Sequence, residues 1–459
     1  MQNQETLDNN LYNNKQMLKK VGVVAGPIAL QSLIASSLNL IDNLMVGGLG
    51  ELALNAVGVS VQVFFVYWML LFGFCSGSAT FMSQFFGTRD YANIRRTAGF
   101  AFSVVFCIGI IFFLAATIFP EYILRVFTKY PEVIEAGVPY VRTGAPCFLF
   151  VAMIQPLSLV LRTTQQTEKP LYASVIALCT NTFLNYCLIY GHFGMPELGI
   201  KGAALATVIA RIVEASLLII FIFVRNNPMK GSLKEYFSYK GELAGRVVKN
   251  SLPTTINETM WGLGTSLYVA AFARISITAG AAIQACNTIE NLFIMCCFSI
   301  GDAVLILVGQ KIGEGEMEYA FKMTNNLIKL GLIVGAVMGG LTIVFGKPIL
   351  SLFDFTPEGA RIAWLVLIVY GATMWLDAYT GIMVSGVLRC GGDTRFAMFT
   401  EVGTVWLIGV PVAFLTSLKL CWPLYLAVLA VRSELVVKNV ILTARYRSRK
   451  WLNNVIRGL

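Results

Sequence analysis

Gln84-Phe85-Phe86-Gly87 closes one long apolar run, and Gln310-Lys311-Ile312-Gly313 closes another 226 residues later. The same offset carries Pro27 to Pro253, Leu124 and Phe127 to Leu350 and Phe353, and Pro131-Glu132 to Pro357-Glu358. With one inserted residue, Leu161-Arg162 and Thr167 map onto Leu388-Arg389 and Thr394. Each half is almost wholly apolar, broken by short polar loops. Duplicated membrane bundles belong to solute carriers, in which two similar halves rock about a central site.

Of 459 residues, 56% are hydrophobic and 13% charged, against about 25% charged in soluble domains. Long apolar runs between basic loops indicate helices that satisfy their own backbone in lipid. Twelve such runs centre near Leu33, Phe65, Cys107, Phe150, Leu178, Val213, Leu263, Phe293, Val334, Thr373, Leu407 and Val431. The expected fold is all-α integral membrane, with twelve transmembrane helices in two six-helix lobes. Residues 1–20 read as a cytoplasmic tail, 21–225 as the N-lobe and 226–248 as a cytoplasmic linker. Residues 249–445 read as the C-lobe and 446–459 as a basic cytoplasmic tail.

The net charge of +10 gathers in alternate loops, which suits a membrane orientation better than nucleic acid. The positive-inside rule then places both termini in the cytoplasm of an inner-membrane protein. An even number of spans per half makes the repeats parallel, related by an axis along the membrane normal. The ten cysteines form no C-x-x-C pair and read as small hydrophobes. The single histidine, His192, leaves almost no material for imidazole-based catalysis. No Walker phosphate loop occurs. These features argue against an enzyme and against ATP as the driving force.

The first span reads Pro27-Ile28-Ala29-Leu30-Gln31, then Ile41-Asp42-Asn43-Leu44-Met45-Val46-Gly47. The fifth and sixth carry Asn181, Asn185, Tyr190-Gly191, Thr207 and Arg211, and the tenth ends Leu388-Arg389-Cys390-Gly391-Gly392-Asp393-Thr394. Taken in order, this pattern resembles the multidrug and toxic compound extrusion (MATE) family of cation-coupled efflux transporters. The resemblance implies a V-shaped, two-lobed monomer that alternates between outward- and inward-open states. It also implies export of small amphipathic, mostly cationic compounds in exchange for H+ or Na+, with no other cofactor.

Ionisable groups inside a bilayer are functional candidates by default. Asp42, Glu258, Glu290, Asp302, Asp377 and Glu401 fall within apolar spans, and Arg211, with Glu214 one turn on, is the clearest embedded cation. A surplus of carboxylates attracts cations. Asp42 matches the family's N-lobe coupling acid, with Asn181, Asn185 and Thr207 as neutral polar neighbours. Some relatives have an acid where this chain has Asn185. Glu258 and Asp377 are the C-lobe candidates and a possible Na+ site, with Glu290 and Asp302 as additions. Pro27 permits a kink in the first helix. Phe64, Phe65, Tyr67, Trp68, Trp261, Phe293 and Trp375 suit contacts with flat cations. Gln84-Gly87 and Gln310-Gly313 read as turn-shaping. The alternatives are a lipid-linked oligosaccharide flippase of the same superfamily, which would want a basic cavity, and a membrane enzyme or channel.

Overall fold

The computed structural model describes residues 19–35, 42, 45–223, 227–351 and 355–459. The expected N-terminal tail up to residue 18, the repeat position Phe353 and the start of the linker lie outside them. Every regular element among the described residues is a helix. The first half comprises α1 (19–35), α2 (Glu51–Gly87), α3 (Tyr91–Ile118), α4 (Pro120–Phe127), α5 (Pro131–Gly144), α6 (Pro146–Thr163), α7 (Glu168–Tyr190) and α8 (Ile200–Phe223). A short α9 (Leu233–Tyr236) lies in the connector. The second half comprises α10 (Gly241–Ala273), α11 (Ile277–Gly313), α12 (Met317–Leu350), α13 (Pro357–Gly381), α14 (Thr394–Thr404), α15 (Val410–Phe414), α16 (Leu424–Val431) and α17 (Ser433–Arg447).

Nine helical stretches among the described residues are long and apolar enough to cross a bilayer. The remaining passes of the twelve have physical reasons for falling short. The first is interrupted by residues outside the description. α10 carries a polar run from Asn250 to Glu258, and the last pass breaks at Arg432 between α16 and α17. Both α5 and α13 start with proline at the first turn, where its missing N–H costs nothing. Wide π-helical segments continue α13 at Ile382–Leu388 and follow α14 at Val405–Gly409. The first of these ends immediately before Arg389.

α10 begins at Gly241, within the stretch read as linker, and Pro253 lies well inside it. The turn-shaping reading of the repeat glutamines is corrected here. Gln84 and Gln310 are helical, and with their glycines they form the seam between the lobes. Gln84 Nε2 donates to the Cys390 carbonyl at 2.8 Å, and Gln310 Nε2 donates to the Thr163 carbonyl at 3.2 Å. A Cβ on Gly87 would lie 2.1 Å from the Gln310 carbonyl oxygen, and one on Gly313 would lie 2.0 Å from that of Gln84. Only glycine lets these backbones approach so closely.

The C-terminal stretch is not a free tail. Trp451 is fully buried and packs with a core cluster on α11–α13, while Ile456 joins the N-lobe core. Val455 N donates to Gln84 Oε1 at 2.9 Å, and Asn454 Nδ2 donates to the Ile312 carbonyl at 3.3 Å. The last residues therefore bridge both lobes at the seam.

Candidate functional site

Helix geometry puts Asn181 and Asn185 on one face of α7, one turn apart, and Asp42 lies against them. Asn185 Nδ2 donates to Asp42 Oδ1 at 2.5 Å. An amide atom of Asn181 lies 2.8 Å from the same oxygen, and its other end is 3.3 Å from Thr207 Oγ1. Turned one way, that amide donates to an ionised carboxylate. Turned the other, it accepts the proton of a neutral carboxylic acid. Arg211 does not bond Asp42; its Nη1 pairs with Glu214 at 2.6 Å, as the one-turn spacing suggested.

Pro27 deprives the Val23 carbonyl of its helical partner. Thr167 Oγ1, at the start of α7, donates to that carbonyl at 3.0 Å. The kink position is therefore satisfied from outside the helix. One turn further, Gln31 Nε2 donates to Ser174 Oγ at 2.8 Å, and its Oε1 accepts from Arg162 Nη2 at 2.6 Å. Ser174 Oγ in turn donates to Glu214 Oε1 at 2.8 Å. Because arginine can only donate and carboxylate only accept, every orientation along this chain is determined.

The C-lobe differs from expectation. Glu258 and Asp377 do not share one site: each is taken by its own arginine. Glu258 pairs with Arg389, which is fully buried and also donates to Ser76 Oγ of α2 at 2.7 Å. Asp377 and Glu290 both pair with Arg432, each at 2.6 Å, and the guanidinium stacks 4.5 Å from the Tyr370 ring centroid. A cation therefore already stands between the two carboxylates. Lys438 is buried against Glu434 at 2.6 Å, and Asn257 Nδ2 donates to Glu401 at 2.6 Å. Asp302 makes no hydrogen bond or ion pair among the described residues, and it lies in the field of Arg162 and Arg389.

Arg211 is thus not the principal embedded cation. Arg162, Arg389, Arg432 and Lys438 were missed as interior charges, although acids still outnumber bases. Part of that signal was readable, since Glu434 and Lys438 are four apart on one helical face. Arg162 and Arg389 stood out only as repeat markers. Two of the aromatic candidates pack the N-lobe core: Tyr67 donates to the Phe148 carbonyl, and Phe64 stacks on Phe148 at 4.5 Å between centroids. Phe65, Trp68 and Trp375 are exposed.

Two repeated helical lobes, closed against each other at one end and holding paired, largely buried charges, define a multi-pass membrane transporter. The MatE family model matches residues 27–187 and 253–415, once in each lobe, so the chain belongs to that family of multidrug and toxic compound extrusion (MATE) efflux transporters. It is 28% identical over 396 residues to a probable multidrug resistance protein YoeA of Bacillus subtilis, covering 85% of each chain. It is 26% identical over 447 residues to a probable multidrug resistance protein NorM of Thermotoga maritima, covering 95% of this chain and 93% of that one. Among solved structures, it superposes with a TM-score of 0.85 on an outward-facing multidrug resistance MATE family transporter of the MOP superfamily. That match has 17% identity and covers 94% of this chain and 96% of the other, which establishes the common fold.

Proposed function

We propose that this transporter exports small amphipathic cations in exchange for inward-moving H+ or Na+, with Asp42 as the exchange site. One observation carries the reading. Among the described residues, Asp42 is hydrogen-bonded only to neutral amides, whereas Glu258, Glu290 and Asp377 are each held by an arginine. A carboxylate with neutral partners can trade a proton or Na+ for a cationic cargo without breaking an ion pair. The C-lobe acids then shape the interior potential, and coupling through them requires Arg389 or Arg432 to move aside. The basic end of the bundle, with both chain termini, faces the cytoplasm of the inner membrane. The lobes, related by an axis along the membrane normal, rock about the central site, and protonation of Asp42 competes with cargo for one charge.

The test is ethidium efflux from vesicles energised separately by a pH gradient and by a Na+ gradient, with wild type and Asp42→Asn. Transport should need one of the gradients and should vanish in the variant. Efflux sustained by ATP alone after both gradients collapse rejects the reading.

A further inference from the structure

Two turns recur in both lobes with the same backbone bonds and different residues. After α2, Arg89 N donates to the Phe86 carbonyl and Asp90 N to that of Phe85; after α11, Gly315 and Glu316 repeat this with Ile312 and Lys311. After α6, Gln165 N donates to the Arg162 carbonyl and Gln166 N to that of Leu161; Gly392 and Asp393 repeat it with Arg389 and Leu388. The left-handed residue of each C-lobe turn is glycine, Gly315 at φ +83° and Gly392 at +72°. In the N-lobe the same places hold Arg89 at +57° and Gln165 at +61°. Glycine is the usual choice there, because a Cβ in this conformation crowds the following carbonyl. The C-lobe follows that rule twice, and the N-lobe breaks it twice.

Both exceptions line one cavity of about 410 Å³ at the seam, together with Lys20 of α1 and Gln310, Lys311 and Glu314 of the C-lobe. At the repeat-related place the C-terminal stretch is packed in. Val455 N bonds Gln84 Oε1, and a Cβ on Gly392 would lie 2.4 Å from Val455 Cγ1. On the N-lobe side, Gln165 Nε2 donates to Gln310 Oε1 at 2.6 Å, which is the role Val455 N has at Gln84. Three cations and one carboxylate border the cavity. Glu314 is taken by Lys311 at 2.5 Å. Among the described residues, the side chains of Lys20 and Arg89 have no hydrogen bond or ion pair. A disfavoured backbone conformation kept at non-glycine residues points to function. Guanidinium and ammonium groups in one cavity suit phosphate oxygens.

We propose that this cavity binds a phosphate-bearing anion across the seam, held by Arg89 and Lys20, with the second N–H of Gln165 as a neutral donor. Its walls come from both lobes, so the bound anion favours the state in which they are closed against each other there. A lipid phosphodiester headgroup and free phosphate offer the same oxygens. The site does not depend on the efflux reading; only its placement on the cytoplasmic side does.

Melting of the full chain in phosphatidylcholine nanodiscs tests it, with potassium phosphate compared against potassium chloride at equal ionic strength. A second arm uses discs of equal parts phosphatidylcholine and phosphatidylglycerol, without phosphate. The wild-type midpoint should rise by about 3 °C or more in at least one arm, and the arm that responds names the source. Arg89→Gly, which copies the other lobe and relaxes the turn, should melt close to wild type without the anion and lose most of the rise. Arg89→Asn also suits a left-handed turn and serves should the glycine variant not fold. Lys230→Ala removes an exposed cation outside the cavity and should keep the full rise. General stabilisation by phosphate moves every variant alike, so the difference between variants is the readout. No rise in wild type in either arm overturns the proposal. So does a rise in Arg89→Gly equal to that of wild type, or one lost equally in Lys230→Ala.

Discussion

Gln84 and Gln310 do the same thing on opposite lobes: each donates across the seam to a backbone carbonyl of the other half, Cys390 and Thr163. The two acceptors are themselves repeat positions. The seam therefore has an approximate twofold character, set by helix pairs that touch through Gly87 and Gly313.

A side chain at either glycine should part the lobes. Gly87→Leu meets the Gln310 carbonyl, and overpacking of this kind costs about 1–3 kcal/mol or more. The expected result is a thermal midpoint lowered by several degrees and severalfold slower transport. Fluorescence-monitored melting of the purified protein checks the first, and vesicle efflux the second. An unchanged midpoint would mean that the helices separate there at no cost.

Asp42→Asn mimics the proton-bound carboxyl group. Cargo affinity in wild type should rise with pH, because only the ionised group attracts a cation, whereas the variant should bind weakly at every pH. Titration of a fluorescent cation at several pH values on both proteins decides. Parallel curves would shift the exchange site to the C-lobe.

Arg432 is the shared partner of Asp377 and Glu290. Arg432→Ala strands two buried carboxylates, and breaking a buried pair costs about 3–5 kcal/mol. Adding Asp377→Asn and Glu290→Gln should recover most of the loss, since neutral amides are cheaper to bury. Arg432→Gln alone should acquire a Na+-dependent rise in melting temperature that wild type lacks. A wild-type response to Na+ at this pair, abolished by Asp377→Asn, would contradict the idea of a resident internal cation.

Ending the chain after Arg449 removes Trp451, Val455 and Ile456 from the seam. Cys390 is fully buried there, and the Trp451 carbonyl lies against Gly391 beside it. The truncated protein should label at Cys390 with a small membrane-permeant thiol reagent severalfold faster than wild type. Equal labelling rates would show that the last residues merely rest on the bundle.

Composition and the offset repeat were enough to establish a duplicated helical membrane protein, because lipid admits few backbones and duplication leaves its spacing in the chain. The grouping of Asp42 with Asn181, Asn185 and Thr207 was also legible. Asn181 and Asn185 are brought to one face by helical periodicity alone, and Asp42 is an isolated acid in an apolar run. Local rules sufficed for these residues, and they likewise paired Arg211 with Glu214.

The partners of the other charges came only from tertiary packing. A carboxylate in an apolar segment looks the same in sequence whether it faces Asn185, as Asp42 does, or Arg432, as Asp377 does, since the partner lies on a helix many residues away. Ion pairs such as Glu258–Arg389 join residues 131 apart, so no periodicity announces them. The turn-like reading of Gln84 and Gln310 failed for the same reason. Their glycines serve an approach between helices of different lobes, and that distance exists only once both halves have folded against each other.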